Sequence, residues 1–204
     1  MSLELLADGQ LAAVVTYLEM TEFPASPPPP SPLRLDRVER PATDHYRALF
    51  LRIGAPWLWF SRLAMPDDRL AAIIADPAVH LYVVRGPDGE ASGMLELDFR
   101  EPGECELAFI GLLPELAGQG HGRWLLAEAL RLAWRAGIAR VHVHTCTLDH
   151  PAALGAYRRA GFTAYKRAVE TFPDPRVLGI LPADSAPQLP LVGTVGSADR
   201  SPTS

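Results

Sequence analysis

The chain has 204 residues, 48% of them apolar, and a formal net charge of −5. That length allows one ordinary domain with extensions, the apolar share supports a sizeable core, and the acidic balance argues against a general grip on nucleic acid, which needs a basic surface. No apolar run reaches the roughly 18–20 residues that cross a bilayer, the start Met1-Ser2-Leu3-Glu4-Leu5-Leu6 lacks a signal peptide's basic region, and Cys105 and Cys146 fit free thiols in a reducing cytosol, so a cytoplasmic protein without membrane partners is expected.

In chain order, Leu3–Leu6 and Leu11–Leu18 around Asp8-Gly9 read as a hairpin, with a short amphipathic helix as the alternative. Pro24–Pro32 is an extended connector, since proline removes the backbone donors of a helix or central strand. A strand over Leu33–Val38 precedes a helix over Ala42–Ile53, whose Tyr46, Leu49, Phe50 and Ile53 recur at helical spacing. The aromatic stretch Ala55–Phe60 leads to a helix over Asp67–Ala75, stopped by Asp76-Pro77. Strands follow at Leu81–Val84, Ala91–Phe99 and Cys105–Leu113, then a helix from Gly120 to Ala136 ended by Gly137. A strand at Val141–Thr147, a helix at Pro151–Ala160 and a strand at Phe162–Val169 complete the order β-α-α-β-β-β-α-β-α-β behind the hairpin. This is an α/β fold. From about Pro173 the chain turns to Pro, Gly, Ser and Asp and reads as a flexible tail.

Gly118-Gln119-Gly120-His121-Gly122-Arg123 stands between a strand and a helix. Glycines let backbone amides approach an anion, and a helix N-terminus adds unpaired N–H groups and the positive end of its dipole. Arg123 adds a charge-assisted contact. A tight turn is the plainer reading of three glycines. A Walker loop would end in Gly-Lys-Ser/Thr, whereas this one continues Gly122-Arg123-Trp124, and a dinucleotide loop would follow the first strand of a βαβ unit.

The context of this loop resembles the GNAT family of N-acetyltransferases. Leu112-Leu113-Pro114-Glu115 followed by Ala117-Gly118-Gln119-Gly120-His121-Gly122 is similar to the family's acyl-CoA loop, and Tyr157-Arg158-Arg159-Ala160-Gly161-Phe162 to its Tyr-x-x-x-Gly-Phe ending. Ala117 departs from the usual Arg or Gln. The resemblance spans roughly Leu33–Val169. It implies a mixed, mostly antiparallel central sheet flanked by helices over residues 33–172, with the hairpin and connector (1–32) and the tail (173–204) outside it. It also implies an N-acetyltransferase that moves an acetyl group from acetyl-CoA to a primary amine by direct attack. A non-catalytic acyl-CoA-binding regulatory module is the competing class.

Under that resemblance Tyr157 is the acid that protonates the leaving thiolate. Glu106 is the base, alone or through a water, with Glu96 and Asp98 as rivals. Alternation places Glu106, Ala108, Ile110 and Leu112 on one strand face. The pantetheine arm pairs with Leu112 and Leu113 like an added strand. Trp57, Trp59 and Phe60 fall where the family's acceptor loop lies, as a substrate pocket or as core anchors. His142, His144 and Cys146 share a strand face and, with His150, raise zinc as a third class; a packed strand face is the alternative. Asp149 or His150 caps the next helix. An exposed edge strand leaves a homodimer open.

Overall fold

Gly9, at φ 75°, turns the chain into β1 (Gln10–Met20), where Val14-Val15-Thr16-Tyr17 favours extended backbone. The computed structural model describes residues 3–24 and 27–193. β2 (Arg34–Val38) precedes α1 (Thr43–Gly54) and α2 (Asp67–Ile74). Acids in their first turns and Arg52 at the end of α1 complement the helix dipoles. β3 (Val79–Arg85), β4 (Ala91–Asp98) and β5 (Glu104–Leu112) form a meander. Then come α3 (His121–Ala133), β6 (Arg140–Cys146), α4 (Ala153–Arg159) and β7 (Thr163–Pro173).

The strands make one sheet in the order β2-β3-β4-β5-β6-β1-β7. All neighbours are antiparallel except β5 and β6, which run parallel. The mixed, mostly antiparallel sheet flanked by helices is therefore present. α1 and α2 cover one face, packing Tyr46, Phe50, Ile53, Leu70 and Ile74 on Leu81 and Met94. α3 covers the other, packing Leu125, Leu126, Ala129 and Leu130 on Leu95, Leu107, Val141 and Val143, beside Tyr157 of α4.

The structure departs from expectation at four places. The first is the N-terminal hairpin. Leu3 and Leu5 are 89% and 84% exposed and form no strand. β1 instead lies inside the sheet between β6 and β7, because its Val15, Leu18 and Met20 bury on both faces. The second is β5: Glu96 faces Phe109 while Leu97 faces Leu107, so Ala108 is an extra residue in a bulge. A bulge reverses the alternation beyond it. Glu106 therefore shares its face with Phe109 and Gly111, on the α1 side, while Ile110 and Leu112 turn to α3. The third is α3, which ends at Ala133 because Trp134 is already extended.

The fourth is the C-terminal segment, whose composition suggested a flexible tail. Asp174 and Arg176 are buried as an ion pair. The Arg176 guanidinium also donates to the carbonyls of Ser185 and Leu189 at 3.2 and 2.9 Å. Leu181 and Ala186 then pack on Leu58. The rest of that expected tail, from 194 onward, lies outside the described residues. No helix among the described residues is long and apolar enough to cross a membrane.

Candidate active site

The sheet is split at its centre. β5 and β6 pair only at Glu104–Arg140, Cys105–Val141 and Glu106–His142. Beyond them β5 keeps β4 as its partner and β6 keeps β1, so the facing edges from about Leu107 and Val143 onward diverge. A cleft of about 1640 Å³ passes through the gap. Its walls include Ile110, Leu112 and Leu113 of the β5 end, Leu126 and Leu130 of α3, and Tyr157 of α4. Backbone groups on a splayed strand edge are ready to pair with an extended amide-bearing chain.

At one mouth lies the glycine loop. Gly118 and Gly120 hold φ of 77° and 83°, and Gly120 is the N-cap of α3. Left-handed backbone at both points is why glycine stands there. Gly118, Gly120, Gly122 and Arg123 line the cleft. The side chains of Gln119 and His121 turn away from it. The Gln119 amide donates to the Glu115 carbonyl at 2.9 Å, and His121 Nδ1 lies 3.3 Å from the Ser31 hydroxyl. Ser31 lies near the end of the proline connector, whose Pro27–Pro30 also line the cleft. The connector joins β1, near one edge of the sheet, to β2 at the other, and in doing so straps the α3 side of the opening. The Pro-rich sequence predicted its extension; where it runs is set by strand order.

Tyr157 is buried on the α3 side, with its ring edge-on to Phe162 at 5.8 Å. Burial pushes its phenol well above the ordinary value, helped by the charge of Asp149, so it is a neutral phenol at physiological pH. Glu106 lies on the opposite side of the split. Its Oε1 is 3.3 Å from His144 Nδ1. The bond from His144 holds Glu106 below the ordinary carboxylate range, against the opposing effect of burial. The two rivals are occupied. Glu96 is fully buried, accepting bonds from the Tyr46 hydroxyl and Arg62. Asp98 is clasped through both oxygens by Arg100.

The aromatic stretch forms the other mouth. Leu58 sits at φ 55°, unusual for leucine, and is held there by Leu181 and Ala186. Trp57 meets the His150 ring edge-on at 4.9 Å, and Phe60 stacks on Phe172 at 5.3 Å. Trp59 packs between Phe50 and Phe109 and donates its indole N–H to Asp149 at 3.1 Å. All three line the cleft, so they are anchors and wall together. Asp149 also accepts from the Thr145 hydroxyl at 2.7 Å and the Cys146 amide at 2.8 Å, stapling the loop after β6 rather than capping α4. His150 accepts from the Ala152 amide at 3.1 Å.

His142 and His144 are engaged by Glu104 and Glu106, and among the described residues no three His, Cys, Asp or Glu side chains converge as a metal site. Val15, Glu170 and Phe172 in the cleft wall were not foreseen, because only the insertion of β1 brings β7 to this place.

The acetyltransferase (GNAT) family model matches residues 43–162. A mycothiol acetyltransferase of Clavibacter michiganensis subsp. michiganensis is 34% identical over 137 residues, covering 66% of this chain and 44% of the relative. Its counterpart in Clavibacter sepedonicus is 36% identical over 96 residues, covering 47% of this chain and 31% of the relative. The chain thus spans less than half the length of these curated relatives. Among solved structures, a GCN5-related N-acetyltransferase from Sphaerobacter thermophilus superposes with a TM-score of 0.59 at 17% identity, over 79% of this chain and 51% of that one. A spermidine N-acetyltransferase chimera from Vibrio cholerae superposes with a TM-score of 0.54 at 22% identity, over 67% and 83%.

Proposed function

The chain belongs to the acetyltransferase (GNAT) family, and from that premise we propose that it transfers an acetyl group from acetyl-CoA to a primary amine by direct attack. The observation that carries this reading is the split between β5 and β6, with a neutral phenol on one side and a carboxylate–imidazole pair on the other. The residues fit the co-substrate. Amides at Gly118, Gly120 and Gly122 with Arg123 receive a diphosphate, and the free edge at Leu112 and Leu113 receives the pantetheine amides. Bound acetyl-CoA supplies an activated thioester. The chain's own groups do the rest. Backbone amides by the split hold the carbonyl oxygen, Tyr157 holds a proton for the departing sulfur, and Glu106 anchors the base centre.

The acceptor mouth combines an aromatic rim of Trp57, Phe60 and Phe172 with the Glu170 carboxylate. An amine carried on an aryl group matches both features. The curated relatives are mycothiol acetyltransferases and one structural neighbour is a spermidine N-acetyltransferase; tyramine is the probe that this rim favours. Thiol release from acetyl-CoA with tyramine is expected for the wild type. Tyr157→Phe is expected to lower kcat by about 10²-fold or more while leaving acetyl-CoA binding intact. Equal rates for the two proteins would remove Tyr157 from the reaction. A wild type that binds acetyl-CoA and releases no thiol with any amine would be a non-catalytic binder.

A further inference from the structure

Glu106 is the carboxylate of the base centre, yet it does not line the cleft; His144 does. β6 presents His144 two residues beyond its last pairing with β5, at the point where the gap opens. The Nδ1 of His144 faces Glu106 Oε1 at 3.3 Å, and no described residue bonds its Nε2. A carboxylate on Nδ1 fixes the N–H there and leaves the lone pair on Nε2. We infer that His144 receives the proton of the attacking amine and that Glu106 is a positioning residue acting through it. This rests on the acyl-transfer reading and names the group that works at its base site.

The step balances. The amine nitrogen bonds to the acetyl carbonyl carbon, the carbon–sulfur bond breaks, the amine proton goes to His144 Nε2, and the thiolate takes the Tyr157 proton. The imidazole is ringed by Glu106 from β5, Tyr17 from β1 at 5.8 Å between rings, and Glu170 from β7. His142 lies two residues before it on the same face, Asp149 lies in the loop beyond, and Lys166 of β7 is over the Tyr17 ring. The bond to Glu106 raises the His144 pKa above its ordinary 6.5, with burial opposing and Asp149 and Glu170 assisting. The working form is the neutral imidazole, so activity rises with pH through that raised value. Removing the Glu106 charge lowers the value and moves the rise to lower pH.

The test is the pH profile of kcat/KM for acetyl-CoA and tyramine in wild type, Glu106→Gln and His144→Asn, beside NMR titration of the His144 imidazole. Expected are a loss of about 10²–10⁴-fold in kcat for His144→Asn, with the rise abolished, and a smaller loss with a downshifted rise for Glu106→Gln. Acetyl-CoA binding is unchanged in both. A His144→Asn protein that keeps the rise, or that loses less rate than Glu106→Gln, overturns the inference and returns the proton to Glu106. So does an imidazole whose titration in the wild type equals that in Glu106→Gln, a result read without turnover. Failure of the wild type to bind acetyl-CoA would instead sink the acyl-transfer reading, and the titration would still report on the pair.

Discussion

Glu96→Ala is expected to lower unfolding stability by about 3–5 kcal/mol, the range for stripping one partner from a buried ion pair. Glu96 is wholly enclosed, and its carboxylate accepts from Arg62 and from the Tyr46 hydroxyl. The substitution leaves the Arg62 guanidinium buried without its counter-charge, and the Nε of Arg62 already lacks a partner. Burial opposes the charge on Arg62, and Glu96 with Tyr46 outweighs it, so its pKa is raised. The cluster ties β4 to α1 and to the segment before α2, the frame on which the acceptor loop stands. Urea denaturation reads the loss. Replacing both partners, as Glu96→Leu with Arg62→Met, is expected to recover most of it, because apolar pairs of similar volume often match a buried ion pair. A single variant as stable as wild type would mean that the pair is not closed in solution.

Arg176→Ala is expected to be comparable, about 3–5 kcal/mol by the same mechanism, but with a local signature. Arg176 is 2% exposed. Its Nε and Nη2 hold Asp174 at 3.0 and 2.7 Å, and its Nη1 reaches the carbonyls of Ser185 and Leu189. Without it, Asp174 is an unpaired buried carboxylate and the 177–189 segment loses its clasp. That segment braces the acceptor mouth. Leu181 and Ala186 hold Leu58, and the Gln188 amide donates to the Pro56 carbonyl at 2.8 Å. Amide exchange of Ile180 and Leu181, which bond the Pro175 carbonyl, is expected to rise sharply, and KM for the amine to increase while acetyl-CoA affinity holds. The clasp is also pH-sensitive. Burial opposes the Asp174 charge, yet the bonds from Arg176 prevail and hold its pKa below the ordinary 3.8. Its contribution is therefore full above 3.8 and is lost as pH falls through the lower, folded value. Unchanged exchange in Arg176→Ala would show that the segment is held by packing alone.

Local pattern made much of the chain legible. Tyr46, Leu49, Phe50 and Ile53 mark α1 by spacing, and the bounds of β3 to β5 follow the apolar runs to within two residues. The glycine loop and the Tyr157 motif were recognisable because each is contiguous, and the roles expected of them came from the family resemblance. What escaped is non-local. The entry of β1 between β6 and β7 depends on sheet order, which no window of sequence contains, and it brings Tyr17 beside His144 and Glu170 into the cleft. The extra residue at Ala108 reverses a strand face without a Gly or Pro to announce it. The composition after Pro173 is that of a loose tail, and the single buried Arg176 overrides it. The pairing of His144 with Glu106 joins two strands 36 residues apart that touch for only three registers; alternation placed the histidines on one face but could not name their partner.

The opening between β5 and β6, with the loop at its mouth, is proposed to hold acetyl-CoA. Calorimetric titration of wild type and Gly122→Glu with acetyl-CoA tests it most directly. Gly122 lies in the first turn of α3, where an added side chain meets nothing within 4 Å, so a glutamate there keeps the fold and sets a negative charge against the diphosphate. One acetyl-CoA is expected to bind per wild-type chain, with binding weakened by about 10²-fold or more in the variant, equivalent to ~2.7 kcal/mol. A folded wild type that takes up no acetyl-CoA, or a variant that binds as tightly as wild type, would contradict it.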